Sequence, residues 1–232
     1  MRNINEYDEV AFEEAFADSN IAIQIKKDFD ILSWDKHLPK HVYATERQFI
    51  GSRICTMTSF YYIEKLLEKN PDAIYDFGCG WNLFKKYIPN IIGISPENPE
   101  DPHSYYADQY DIFDEDFANN HQANYESAMA ICSLNYRPLT EITNTVESFM
   151  SIIKPGGRGY ISLDVAPMVS REDPSTLDDL FGTTTPIFHE VEDYIREKLS
   201  KLTCNYLVFD FDAEVNDPYD GNLRIVFEMP TE

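Results

Sequence analysis

Apolar positions recur along the chain at two spacings, and each spacing predicts an element. Ile50, Ile54, Met57 and Tyr61 fall at i, i+4, i+7 and i+11, one face of a helix that the Asn70-Pro71 step ends. Ala73 to Phe77 reads as a short buried strand running into Gly78-Cys79-Gly80, with helical residues around Leu83 to Tyr87 after it. Ile91-Ile92-Gly93-Ile94 predicts a second strand, closed by Ser95-Pro96. Residues 97–124, rich in Asp, Asn and Pro, predict irregular chain with an acidic loop from Asp108 to Asp116. Ser127 to Cys132 is apolar with small residues, as suits a central strand. Leu139, Ile142, Val146, Phe149 and Ile153 form a helical stripe stopped by Pro155-Gly156-Gly157, and Gly159 to Leu163 is the next strand. Thr185-Pro186 supplies an N-cap and first-turn proline for a late helix with Val191, Ile195, Leu199 and Leu202 on its core face. Asn205 to Phe211 and Leu223 to Met229 flank the turn-rich Asn216 to Asn222 and predict a hairpin. Upstream, Asn5 to Ala17 suggests an acidic helix and Ile21 to Ile25 alternates like a strand, before Leu38-Pro39 breaks the chain. Strand and helix alternate, so the predicted class is α/β with a mostly parallel sheet and an antiparallel edge.

Composition narrows this picture. The 232 residues suit one domain with an added segment, and 43% hydrophobic with 14% aromatic residues suit a folded chain despite 41 acidic against 19 basic side chains. The formal charge of −22 reads first as a solubility or salt adaptation. It also argues against nucleic acid, whose phosphates need Lys and Arg; no basic cluster is longer than Lys26-Lys27 or Lys85-Lys86. No apolar run approaches the roughly 20 residues that span a bilayer, and the N-terminus lacks a signal peptide's apolar core. A cytoplasmic protein without membrane contact is therefore expected. Cys55, Cys79, Cys132 and Cys204 form no CxxC pair, so buried free thiols are expected rather than zinc or a redox motif.

Candidate chemistry concentrates where the first strand ends. Ile74-Tyr75-Asp76-Phe77-Gly78-Cys79-Gly80 places an acid at a strand end, then two glycines that let backbone approach a ligand before a helix. At a distance, Lys154-Pro155-Gly156-Gly157 stands between a long amphipathic helix and a strand. In this order and separation the two segments resemble the class I S-adenosylmethionine-dependent methyltransferases over roughly residues 45 to 230. There D/E-x-G-x-G follows the first strand and K-P-G-G precedes the fifth. The resemblance implies a doubly wound, mostly parallel seven-stranded sheet ending in an antiparallel hairpin, with S-adenosylmethionine as cofactor. Residues 1–44 would be an extension and possible lid, and residues 45–232 the Rossmann-like domain.

Residue by residue, it implies that Asp76, Gly78, Cys79 and Gly80 meet the methionine end and ribose of the cofactor. The usual third small residue of that loop is here Asn82. Ser95 stands where the family often has an acid for the ribose hydroxyls; Glu97 either reaches around Pro96 to them or is a solvated loop acid. Asp111 and Ile112 fall at the adenine position, with Asp108 the alternative. Cys132 would line the cofactor site, and Asn135 and Tyr136 the substrate pocket. His189 is the histidine best placed near that pocket, against the plainer reading of a structural or exposed side chain. The D/N-P-P-Y tetrad of amino-methylating DNA enzymes is missing. A general base is not required, because the sulfonium is already an activated methyl donor.

Other chemistries fit less well. His37 and His41 are separated by Pro39, which spoils the helix a paired metal site wants. Asp210, Asp212 and Glu214 alternate as in a calcium loop, but Val215 occupies the position that needs glycine, and the acids read as solvated. A nicotinamide site wants G-x-G-x-x-G, and Leu83 stands at the third glycine. The leading expectation is methyl transfer to a small-molecule or protein acceptor. Its rival keeps the fold without catalysis, as a binding or scaffold protein. Acids crowd Glu97 to Asp116 beside the expected pocket, a rim that favours a cationic ligand such as the sulfonium cofactor or an amine acceptor.

Overall fold

The computed structural model describes Ser59 and residues 62–79, 82–86, 88–95, 108–110, 117–135, 137–165, 168, 188–213 and 221–231. Extension residues 1–44, the start of the helix at Ile50, the polar stretch 169–187 and the turn 214–220 lie outside them. The chain divides into two compact units, Arg2–Ile112 and Phe113–Glu232.

In the first unit, helix α1 (62–67) buries Tyr62, Ile63 and Leu66 and stops at Asn70. Asn70 adopts φ 50, the left-handed conformation that asparagine tolerates, and Pro71 then forbids a further turn. Three parallel strands follow: β1 (Ile74–Phe77), β2 (Ile91–Ser95) and β3 (Gln109–Tyr110), in the order β3-β2-β1. Ile74 faces Ile91, Phe77 faces Ile94, and Ile94 faces Gln109. Ile74, Phe77, Ile91 and Ile94 are almost wholly buried, as the short apolar runs predict. The helical residues expected after Gly80 are a 3-10 turn, Leu83–Lys86. A strand also sits inside what reads as an acidic loop, because a two-residue strand carries no periodicity.

The second unit has short helix α2 (Phe117–Asn120), β4 (Tyr125–Ile131), a 3-10 turn (Leu139–Glu141), α3 (Ile142–Ser151), β5 (Ile153–Asp164), α4 (Phe188–Leu199), β6 (Asn205–Ala213) and β7 (Gly221–Glu228). Strand order is β4-β5-β7-β6. β4 and β5 are parallel, joined through α3, and β7 is antiparallel to both its neighbours. The architecture is therefore α/β with mixed strand directions. Ile142, Val146 and Phe149 are the buried face of α3, and Phe149 meets Phe227 of β7 edge to face at 6.3 Å. Val191, Ile195 and Leu199 bury α4, and the Tyr206 hydroxyl donates to the Leu199 carbonyl at 2.7 Å, satisfying one orphan group of the helix end. Among the described residues no helix is long and apolar enough to cross a membrane.

The K-P-G-G segment differs from its expected role. Ile153 closes no helix; it opens β5, twelve residues long, and Lys154 to Gly157 bulge out of it. Tyr125 pairs with Ile153 and Ser127 with Arg158, so four residues of β5 oppose the single Glu126 of β4. The bulge is tied to the chain after β7 instead: Gly156 N–H donates to Met229 O and Met229 N–H to Gly157 O. Gly156 has φ 75, and a Cβ on Gly157 would lie 2.6 Å from the Glu126 carbonyl. Asp210, read as solvated, keeps a solvent-exposed carboxylate that also approaches the buried Arg224 at 3.5 Å.

Gly159 is the tightest position of this sheet. A Cβ there would sit 2.2 Å from the Phe227 ring. Gly159→Ala is expected to destabilise the chain by about 1–3 kcal/mol in urea unfolding, the usual range for overpacking. Phe227→Leu in the same chain should restore part of that loss, because it vacates the space the new methyl needs.

Candidate functional site

The first unit carries the glycine turn. Gly78 leaves β1 at φ 72, and both its N–H and that of Cys79 donate to the Ile94 carbonyl of β2, at 2.8 and 3.1 Å. Asn82 N–H returns to Cys79 O at 2.8 Å. Asn82 itself has φ 51. The residue that departs from the family's small third position thus takes up the backbone conformation a glycine would supply, and adds an amide. That amide donates to the Asp108 carboxylate at 2.9 Å.

Asp108 is bonded from several sides. It accepts from Gly93 N–H at 2.8 Å, donates its own N–H to Gly93 O at 2.9 Å, and its other oxygen takes the Lys85 ammonium. Its partial burial raises the carboxyl pKa, but the bonds from Lys85, Gly93 and Asn82 outweigh that and hold it below the usual carboxylate range. Gly93 is glycine for want of room: a Cβ would lie 2.6 Å from the Asn82 amide nitrogen and 2.9 Å from Cys79 Sγ. Sequence reasoning left Lys85 and Gly93 out of the site. An isolated glycine inside a strand, a sign of close approach, was the signal that could have found Gly93.

Beneath the turn, Asp76 is 2% exposed, and burial pushes its carboxyl up to about 7. The Cys79 thiol is pushed far up as well, by burial first and then by the charges of Asp76 and Asp108. A thiol so placed stays protonated and inert. Cys79, Cys132 and Cys204 are half-buried free thiols rather than fully buried ones.

In the second unit the carboxyl ends of β4 and β5 form a separate polar cluster. Cys132 follows β4 with φ 50; its N–H donates to Ser162 O at 2.8 Å, and its Sγ lies 3.7 Å from Ser162 Oγ. Asn135 spans the two strand ends, donating from Nδ2 to Cys132 O at 3.3 Å and accepting Asp164 N–H at 3.0 Å. Its amide replaces ladder bonds where β4 leaves the sheet, a bracing task that the pocket expectation did not foresee.

Several expected residues lie outside the described ones: Gly80, Glu97, Asp111, Ile112 and Tyr136. Ser95 ends β2 opposite Tyr110 and His189 is the second residue of α4, but their side chains also lie outside the description. Among the described residues no group of three or more His, Cys, Asp or Glu is arranged to hold a metal ion.

No protein-family model matches the chain. No curated protein sequence matches it either. Solved structures do. A protein from Pyrococcus horikoshii OT3 is similar at a TM-score of 0.50 and 14% identity, over 85% of this chain and 99% of its own. A Burkholderia thailandensis 1,6-didemethyltoxoflavin-N1-methyltransferase, solved with 1,6-didemethyltoxoflavin and S-adenosylhomocysteine, has a TM-score of 0.42 and 11% identity, over 81% of this chain and 92% of its own. For the CurJ carbon methyltransferase the TM-score is 0.43 and the identity 14%, over 73% of this chain. This chain spans about half, 52%, of the length of that CurJ chain. At such identity the likeness to the Pyrococcus horikoshii protein is a likeness of fold alone.

The raised carboxyl of Asp76 predicts a pH dependence. Its folded pKa of about 7 lies above the ordinary 3.8, so on raising the pH the unfolded chain releases this proton first. The contribution of Asp76 to stability therefore falls between those two values and is level above them. Asp76→Asn is expected to raise the melting temperature relative to wild type at pH 8 and leave it unchanged near pH 4. Equal melting temperatures of the two proteins at pH 8 would contradict the assignment.

Proposed function

We propose that the chain binds S-adenosylmethionine and transfers its methyl group to a small molecule or a protein side chain. The observation that carries this reading is the left-handed Gly78 turn at the carboxyl end of β1, set above the buried Asp76 and bonded to β2. In doubly wound sheets ligands gather at such strand ends. The residues present fit the cofactor's chemistry. Gly78 presents bare backbone for close approach, and Asp76 is an acid with a strong incentive to meet a cation, as the cofactor's ammonium and sulfonium are.

In this reading the three parallel strands and the mixed four-stranded segment belong to one doubly wound, seven-stranded sheet with an antiparallel end. Cys79, Gly80, Ser95, Glu97, Asp111, Ile112 and Cys132 join Asp76 and Gly78 at the cofactor. Asn135, Tyr136 and His189 stand toward the acceptor. The bound cofactor supplies an activated methyl group; the chain's part is to hold it, align the acceptor in line and exclude water. No residue is assigned as a general base. The acidic composition supports an acceptor that is cationic or an amine, and an acceptor screen that selected anions would count against that detail.

Calorimetric titration with S-adenosylmethionine and S-adenosylhomocysteine tests the reading; no heat and no thermal shift at millimolar ligand would remove it. Binding without transfer to any acceptor would point to the rival, a binding protein on an inherited fold. Gly78→Val should weaken binding at least tenfold, because a branched side chain disfavours φ 72 and fills the approach. Near pH 7 a cation arriving beside Asp76 should lower its pKa and release a proton. Titrations in buffers of different ionisation enthalpy should then give different apparent heats, and Asp76→Asn should make them equal.

A further inference from the structure

We propose that Asp108 is a positioning residue of the glycine turn: through its bonds to Asn82, Gly93 and Lys85 it fixes the direction in which the turn's backbone faces. The proposal rests on the cofactor reading in one respect, that this turn is the part that meets the ligand. Its geometry stands independently.

Among the described residues of the turn, Gly78 at φ 72 and Asn82 at φ 51 are left-handed. The first is secured from β2 by the Ile94 carbonyl. At the second, a conformation that asparagine adopts less readily than glycine is held with the help of its side chain, which donates to Asp108 Oδ2 at 2.9 Å. The place of that carboxylate is set by β2 rather than by the acidic loop, since Asp108 and Gly93 exchange two bonds, N–H to O at 2.9 Å and N–H to Oδ2 at 2.8 Å. Lys85, in the 3-10 turn that follows Asn82, takes Oδ1. One carboxylate therefore joins the exit of the turn, the helical turn after it and the neighbouring strand. Three of its roughly four acceptor sites are taken by donors of the chain, so most of its bonding capacity is spent on holding the turn. Gly93 completes the arrangement, because any side chain there would displace the Asn82 amide.

The test uses the full chain with Asp108→Ala, Asp108→Asn, Asn82→Gly and the double variants, read by S-adenosylhomocysteine affinity and by amide hydrogen exchange of the ligand-free protein. Asp108→Ala is expected to lose at least tenfold in affinity and to speed exchange over residues 78–86 at least tenfold. In the Asn82→Gly background, where the backbone keeps its freedom and the amide is gone, the same change should cost less than threefold. Equal losses in both backgrounds, or unchanged exchange over 78–86, would overturn the proposal. Asp108→Asn, whose amide oxygen still accepts from Asn82 and Gly93, should recover most of the affinity; a loss as deep as that of Asp108→Ala would overturn hydrogen bonding as the link. Should Asp108→Ala fail to fold, Asp108→Ser, too short to reach the Asn82 amide, closes the same cycle with Asn82→Gly. If the wild-type chain binds neither form of the cofactor, the cofactor reading fails while the exchange measurement still decides the proposal. Faster exchange then keeps Asp108 as the residue that positions the turn, and unchanged exchange removes it.

Discussion

Backbone groups must find partners where a buried parallel strand ends, and the rest of the structure depends on how this chain meets that demand. A strand leaving its sheet strands its amides and carbonyls in a low-dielectric interior, where each unpaired group is costly. At β1 the Ile94 carbonyl takes two of them, the N–H groups of Gly78 and Cys79. Between β2 and β3 the Asp108 carboxylate takes the Gly93 amide. Where β4 and β5 part, the Asn135 side chain serves a carbonyl of one strand end and an amide of the other. In both units, then, a polar side chain stands in for ladder bonds: Asn135 at the carboxyl ends of β4 and β5, and Asp108 at the amino end of β3, beside the middle of β2. The carboxyl ends of β1, β4 and β5 are the positions at which open α/β sheets hold their ligands.

The sequence made much of this legible, for a physical reason. β1, β2 and β4 are short apolar runs, and a strand buried on both faces must be apolar on both, so the run itself is the signal. The stripe of α3 and that of α4 are legible because 3.6 residues per turn places their buried residues at fixed spacing. What escaped depended on partners distant in the chain. Asp108, read as the alternative acid at the adenine position, is 26 residues from Asn82 and 15 from Gly93, so nothing local in the chain assigns it these partners. The K-P-G-G bulge escaped likewise. Its glycines answer to the Glu126 carbonyl and to Met229, neither of them nearby in sequence, while a proline and two glycines read locally as an ending.

Asn82 shows how a departure from a family pattern can preserve the pattern's physical content. Glycine is common in such turns because it accepts positive φ, and asparagine is among the few other residues that do. The substitution keeps the backbone path and adds a side chain that a second position must accommodate. Gly93 supplies that space within a strand, at the entropic cost glycine carries there. Asn82, Gly93 and Asp108 are thus one solution spread over three positions. A reading of the turn alone counts the first as a defect.

This matters more for methyl transfer than for most chemistry. Where an enzyme must move a proton or build a covalent intermediate, the decisive residues announce themselves as nucleophiles, bases or metal ligands. A donor that is already activated asks the protein chiefly for orientation, and orientation is a property of backbone direction and of the groups that hold it. The described residues offer few conventional catalytic signatures: Cys79 is inert and no metal cluster is arranged among them. They do offer a left-handed turn tied to the Ile94 carbonyl and the Asp108 carboxylate, and a buried acid with a pKa of about 7 beneath it. For positional catalysis those are the features to expect. Under the proposed function, the residues that aim the turn carry the share of catalysis that a general base carries elsewhere.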